Sequence, residues 1–185
     1  MSCCRLETER LLLRPQGADD IPAIVPLLND YDVAKNLARL PHPYTEEDAR
    51  AFFAKGAEDR ARGQSYSFML VLKTDGALIG SCGLRLQDDG VFELGYWLGR
   101  PFWGKGFASE AARRVAAFAF HELQAPTLKA GYFHDNPASG HVLEKLGCVP
   151  AGVEHRDCVA RGHAVYCHKV VLDRENFGRD RGKQR

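Results

Sequence analysis

The stretch R-P-F-W-G-K-G-F-A-S-E-A, Arg100 to Ala111, sets a lysine between two glycines directly ahead of a run patterned like a helix. Phe107, Ala111, Val115, Phe118, Ala119 and Leu123 recur at spacings of three and four, with Glu110, Arg113 and Arg114 on the other side. That periodicity predicts an amphipathic α-helix, and Pro101 lies too early to break it. Gly104 and Gly106 lack a Cβ, so the backbone can turn tightly there. A ligand can then approach the N–H groups that a first helical turn leaves without partners. Those donors, with the positive end of the helix dipole, suit a pyrophosphate. Upstream, Val91 to Leu98 is rich in β-branched, aromatic and aliphatic residues and reads as a strand. The local order is strand, glycine turn, helix: an anion cradle.

Many helices begin after glycine for packing reasons alone, so the turn needs a context. Gly99 to Lys105 fits the G-x-x-x-x-G-K part of a Walker loop, yet Gly106 stands where Ser or Thr would hold magnesium. A dinucleotide fingerprint is excluded as well, because Ser109 occupies the place of its third glycine.

Two separated segments carry a family resemblance. "ELGYWLGRPFWGKGFASEA", Glu93 to Ala111, and "DNPASGHVLEKLGC", Asp135 to Cys148, resemble the GNAT superfamily of acetyl-CoA-dependent N-acetyltransferases. The opening "LETERLLLRP", Leu6 to Pro15, is similar to the RimJ/RimL branch that acetylates ribosomal-protein N-termini. The resemblance runs from about Leu6 to Leu172. It implies an α/β fold with a single mixed, mostly antiparallel sheet of six to seven strands flanked by about four helices. It also implies transfer of an acetyl group from acetyl-CoA to a primary amine, with a protein N-terminal α-amine first. A small amine such as a polyamine, amino sugar or antibiotic is the alternative acceptor, and a non-catalytic acyl-CoA-binding module is the alternative class.

The chain as a whole fits this reading. Its 185 residues, 45% apolar and 26% charged, suit one domain with a sizeable core, here 1–173, followed by a basic and flexible tail at 174–185. A formal charge of +1 gives no general attraction to nucleic acid. No stretch reaches the ~20 apolar residues that span a bilayer, and the N-terminus shows no basic segment before an apolar core. A cytoplasmic protein with reduced thiols is expected, its six cysteines lacking a compact framework spacing. Nucleic acid and membrane are not expected partners; a homodimer is left open.

Further elements follow in order. Leu11 to Arg14 predicts a first strand. Asp19 or Asp20 can cap a helix carrying Pro22 in its first turn, with Pro26 set to kink or shorten it. Thr45 and Asp48 form the acidic variant of a capping box for a helix to about Arg62. Phe68–Leu72 and Leu78–Leu86 read as a hairpin, Thr127–Phe133 as a strand, and Asn136-Pro137 as the cap and first position of a helix ending at Gly147. Val149 to about Arg156 and Ala164 to Leu172 close the domain.

The resemblance assigns the coenzyme contacts. Main-chain N–H groups of Gly104, Lys105, Gly106, Phe107 and Ala108 would hold the pyrophosphate, with Phe102 and Trp103 beside them. Backbone groups at Tyr96, Trp97 and Leu98 would bond the pantetheine arm and the thioester carbonyl, where an N–H also stabilises a developing oxyanion. Pro101 replaces the Gln or Arg usual in the family at that position. Deprotonating an ammonium needs a base. Glu93, the lone acid in an otherwise apolar strand, is the candidate, with Asp135 and His134 as alternates; strand alternation could equally place Glu93 on a solvated face. Ser139 stands where the resembling branch has a hydrogen-bond donor to the leaving sulfur, and Asn136 either bonds the pantetheine arm or caps its helix. Cys148, His155, Cys158, His163, Cys167 and His168 crowd the last third without the two separated pairs of a structural zinc site, so no metal is expected.

Overall fold

The computed structural model describes residues 5–178. One eight-stranded sheet runs in the order β1 (Leu6–Glu7), β2 (Leu11–Arg14), β3 (Ser65–Leu72), β4 (Leu78–Leu86), β5 (Phe92–Leu98), β6 (Thr127–Phe133), β8 (His163–Asp173), β7 (Val149–Cys158). Every neighbouring pair is antiparallel except β5 with β6. The helices are α1 (Ile21–Leu28), α2 (Tyr31–Ala34), α3 (Glu46–Ala61), α4 (Phe107–His121), α5 (Pro137–Leu146) and α6 (Arg174–Gly178). The sheet thus has one strand more than expected, and two helices are added to the four expected. β1 has two residues, α2 four and α6 five, all too short to display a period.

Two apolar layers sandwich the sheet. On one face α4 buries Phe107, Ala111, Val115, Phe118 and Ala119, five of the six positions the periodicity selects, together with Ala112, Ala116 and Phe120. Phe118 meets Tyr66 and Phe68 edge-on, at centroid distances of 5.4 and 5.7 Å. Fully burying one such ring contributes on the order of 2–3 kcal/mol. On the other face α1 and α3 pack Ile21, Ile24, Leu28, Ala49 and Phe53 against Met69 and Trp97.

The helix boundaries follow their sequence signals with one exception. Thr45 Oγ1 accepts from Asp48 N, and Asp48 accepts from Thr45 N, closing the expected capping box. Asp20 does not cap α1. Its carboxylate takes two hydrogen bonds from Arg14, at 2.8 and 2.6 Å, and one from Gly17 N, so the chain enters α1 through a 3-10 turn at Ala18–Asp20. α1 runs through Pro26 and stops at Leu28. Asn29 then bridges 15 residues, giving a hydrogen bond to Tyr44 O and taking one from Tyr44 N, which fixes the segment between them.

The basic stretch from Arg174 begins as α6, not as a free tail. Phe177 meets Phe120 in a tilted ring contact at 5.2 Å, and Arg174 donates to Phe120 O. The folded body therefore extends past the boundary expected at 173, and 179–185 lie outside the described residues. Cys82, Cys148, Cys158 and Cys167 are free thiols, while Cys3 and Cys4 fall outside the described residues. No described helix is long and apolar enough to cross a membrane, and the described residues contain no group of three or more His, Cys, Asp or Glu arranged to hold a metal ion.

Candidate active site

The glycine turn lies open at the surface. After a 3-10 turn at Arg100–Phe102, Gly104 and Gly106 take φ of +72° and +81°, the left-handed region that other residues avoid. Trp103 through Gly106 are exposed. Hydrogen bonds within the described residues engage Phe102 N, Trp103 N and Glu110 N, and none engages an N–H from Gly104 through Ser109. Six consecutive main-chain donors are thus without a partner among the described residues at the positive end of a 15-residue helix. Lys105 projects outward, its ammonium 5.9 Å from the Phe102 ring, so its contribution is charge near the turn.

The turn is held by a residue that the local sequence does not reveal. Arg10, between β1 and β2, donates to Lys105 O at 2.9 Å and to Glu110 Oε2 at 2.7 Å, and covers the Phe107 ring at 4.4 Å. Glu110 also takes bonds from Arg10 N and Thr8 Oγ1. Burial works against its charge, yet these donors outweigh burial and hold the carboxyl below its usual range. The helical period sets Glu110 opposite the apolar side of α4, and there it is the anchor that ties α4 to the β1–β2 turn.

The sheet opens beside the turn. β5 pairs with β6 only at Phe92↔Leu128 and Glu93↔Lys129, and beyond that point the two strands part. Strand geometry decides which backbone groups line the gap. Gly99 N bonds Ile79 O, so alternate residues back along β5, namely Trp97, Gly95 and Glu93, point their main-chain groups at β4. Leu94, Tyr96 and Leu98 point theirs into the gap. Trp97 is therefore not a main-chain contact on the open edge: its backbone is committed to Ser81, and its side chain packs against the α1–α3 layer. Leu98 keeps its N–H, but its carbonyl already accepts from the Trp103 indole at 2.8 Å.

Glu93 is on neither a dry nor a freely solvated face. Its side chain, 17% exposed, shares a sheet face with Gly95 and Trp97, and Arg156 Nη1 donates to its Oε1 at 2.6 Å. Arg156 comes from β7, three strands away in the sheet, and crosses Gly131 to reach it. A Cβ at Gly131 would stand 2.9 Å from Cys167 Sγ and 3.6 Å from Arg156 Nη1, so the missing side chain makes this path. Glu154 binds the other side of the guanidinium. Burial opposes the charge on Arg156, and the two carboxylates more than offset it, so Arg156 titrates above its usual range and stays cationic. Glu93 Oε2 has no hydrogen-bond partner among the described residues. Next to it, the space above Gly95 is open, with no atom within 4 Å of where a Cβ would stand.

Ser139 meets Tyr96 across the gap. The Tyr96 hydroxyl lies 2.8 Å from Ser139 Oγ and 3.0 Å from Ser139 O. Burial pushes the phenol up, against the pull of the serine contact, so Tyr96 remains a neutral O–H donor. It has one proton for two acceptors. Given to Ser139 O, that proton leaves the serine hydroxyl to donate back to tyrosine; given to Ser139 Oγ, it frees the serine proton to point elsewhere. Asn136 caps α5 by accepting from Ser139 N at 3.3 Å, which leaves its Nδ2 without a partner among the described residues. Asp135 is held by Arg161 through two bonds of 2.7 and 3.0 Å, which pull its carboxyl below the usual range. His134 borders the β6 end, its N–H bonded to Tyr166 O.

The glycine turn, with first-turn N–H groups that have no partner among the described residues, directly follows the strand that parts from its neighbour. The chain belongs to the GNAT family of acetyltransferases, whose acetyltransferase (GNAT) domain matches residues 10–149. It is 31% identical over 176 residues to the N-acetyltransferase p20 of Bacillus licheniformis, covering 94% of this chain and 98% of that one. Its fold is that of a ribosomal-protein-S5-alanine acetyltransferase from Vibrio fischeri, with a TM-score of 0.80 and 19% identity over 95% of this chain and 100% of the other. Mycobacterium smegmatis RimJ in complex with CoA-disulfide gives 0.80 at 17% identity over 96% and 90%. The protein is an acetyl-CoA-dependent N-acetyltransferase.

Proposed function

We propose that the protein acetylates a protein N-terminal α-amine, with the coenzyme held at Gly104–Ala108 and the chemistry done beside Glu93 and Ser139. The observation that carries the coenzyme assignment is the run of six N–H groups from Gly104 to Ser109 without partners among the described residues, in the segment that directly follows the unpaired end of β5. A diphosphate satisfies such donors without any metal ligand from the chain. The arm that follows it would run along the edge groups of Leu98 and Tyr96, and an N–H on that edge would donate to the thioester oxygen as charge develops there. This reading keeps Tyr96 and Leu98 from the expected contacts and gives Trp97 the role of wall.

The acceptor amine has a place in the open space above Gly95, between Glu93 and Trp97. Glu93 Oε2, free of partners, would take the proton from the ammonium there, directly or through one water. Arg156 fixes the carboxylate from the other side. Ser139, with Tyr96 donating to its Oγ, would turn its own proton toward the departing sulfur. A hydroxyl is a weak acid, so this is a hydrogen bond to a thiolate that titrates near ~8.5. Orientation of the two reactants in one cleft supplies up to ~7–11 kcal/mol of the barrier reduction.

The acceptor class rests on the RimJ/RimL-like motifs and on fold neighbours that include a ribosomal-protein-S5-alanine acetyltransferase. The test is to monitor free thiol while acetyl-CoA is mixed with N-terminal peptides and, separately, with polyamines and amino sugars. Faster turnover of peptides supports the reading; turnover confined to small amines overturns it.

A further inference from the structure

The sheet face that carries Glu93 holds more cations than anions, and the surplus is localised. Lys129 pairs with Asp89, Lys169 with Glu154, and Arg156 with Glu93 and Glu154. Arg85, directly across from Glu93 on β4, has no carboxylate within ion-pair distance among the described residues, and neither has Arg39. Arg39 lies close enough to Arg85, Arg156 and Glu93 to feel all three charges. Asp59 acts on Arg85 from α3, but that carboxylate is bonded to Lys55.

Nor is Arg39 loosely placed. Leu37 and Leu40 pack into the α1–α3 layer, while Ala38 packs against Phe133 and Cys158 and its carbonyl accepts from Val159 N at 3.0 Å. The segment therefore bridges the two halves of the parted sheet and sets a guanidinium at the acceptor side of the gap. The arginines repel one another; Glu93 and Asp59 oppose that repulsion only from carboxylates already bonded to Arg156 and Lys55, and a bound anion would relieve more of it.

Building on the N-terminal reading above, we propose that the acceptor is a peptide whose amino terminus is followed by an acidic side chain, with that carboxylate bound between Arg39 and Arg85 while the amine lies over Gly95. Arg39 titrates below its usual range, from burial first and then from Arg85 and Arg156, with Glu93 acting the other way; an incoming carboxylate stabilises its charge. Arginine suits the task because its planar fork matches a carboxylate in two-point contact.

Three peptides alike except for glutamate, glutamine or lysine at the second position test this with acetyl-CoA at saturation. The glutamate peptide should have kcat/KM about tenfold above the glutamine peptide, the size of one charge-assisted contact, and the lysine peptide should be slowest. The double variant R39E/R85E should reverse the order in favour of lysine. Arg39 and Arg85 are surface residues, a melting curve checks that the double variant is folded, and R85Q alone, expected to reduce the preference about threefold, provides a milder readout. Equal kcat/KM for all three peptides, or a glutamate preference that survives charge reversal, overturns the acidic-acceptor proposal and leaves N-terminal acetylation standing. Turnover of small amines with none of any peptide removes both.

Discussion

α3 and α4 both begin after a polar turn, and they treat their first N–H groups in opposite ways. At α3, Thr45 and Asp48 exchange hydrogen bonds, and Glu46 and Glu47 add negative charge to the first turn. At α4, the cap position is Gly106, which has no side chain to give, and Phe107, Ala108 and Ser109 follow without a carboxylate. The only acid near it, Glu110, is occupied by Arg10 and Thr8. A helix start that satisfies its own donors is closed to an anion, whereas one left open, with its first-turn carboxylate already bonded to Arg10 and Thr8, is suited to receive one. On the function proposed above, the difference separates a structural helix from a coenzyme-binding helix within one chain.

The contrast can be broken experimentally, and the largest effect should come from separating binding from chemistry. If α4 binds the coenzyme and Glu93 removes the proton, Glu93→Gln should lower kcat by about 100-fold, the lower end of general-base contributions. Its acetyl-CoA dissociation constant, measured by calorimetry, should be unchanged. An unaltered rate would remove Glu93 from the mechanism.

Gly106→Val should raise KM for acetyl-CoA roughly 30-fold, equivalent to the ~2 kcal/mol that a strained left-handed residue costs. At Gly106 the added carbon would also stand 3.4 Å from Arg10. A melting curve like that of the parent would show that the loss is local.

Arg10→Ala should raise the same KM about fivefold by releasing the turn from α4, on the order of one charge-assisted hydrogen bond. Acid should mimic it. The Glu110 carboxyl titrates lower in the folded protein than its ordinary 4.5, so its contribution to stability is present above pH 4.5 and is lost as pH falls through the lowered value. Thermal stability followed from pH 6 downward should fall less steeply in that range for Glu110→Gln than for the parent.

The smallest effect belongs to the closed helix. Thr45→Ala should cost about 1 kcal/mol of stability by chemical denaturation and leave KM for acetyl-CoA where it was. A shift of that KM would mean that the two helix starts are not independent.

Much of the fold was legible because its signals are local. The period of Phe107, Ala111, Val115 and Phe118 picked out the buried side of α4, Thr45 with Asp48 marked the start of α3, and Asn136-Pro137 marked the start of α5. The elements missed, β1, α2 and α6, each span fewer than two periods of their kind, too short for a pattern to repeat, and they exist because neighbours hold them. Asp20 misled for a related reason: its carboxylate had a stronger partner in Arg14 than in the helix it precedes. At the site, Gly104 and Gly106 announced the turn, and Glu93 stood out as an acid in an apolar strand. Which backbone groups of Tyr96, Trp97 and Leu98 face the gap depends on the register with β4, which the sequence does not display.

The chain by itself determined the strand-turn-helix order, the glycines that permit the left-handed turn and the lack of a side-chain cap at Gly106. Each depends on residues within a few positions of one another, where backbone conformational preference and side-chain period act directly. Only the tertiary structure decided that Arg10 locks Glu110 from 100 residues away, that Arg156 reaches Glu93 across 63, and that Arg39 and Arg85 have no carboxylate within ion-pair distance among the described residues. Charge pairing falls off with distance in space, and the distance between residues remote in the chain is set by the packed sheet.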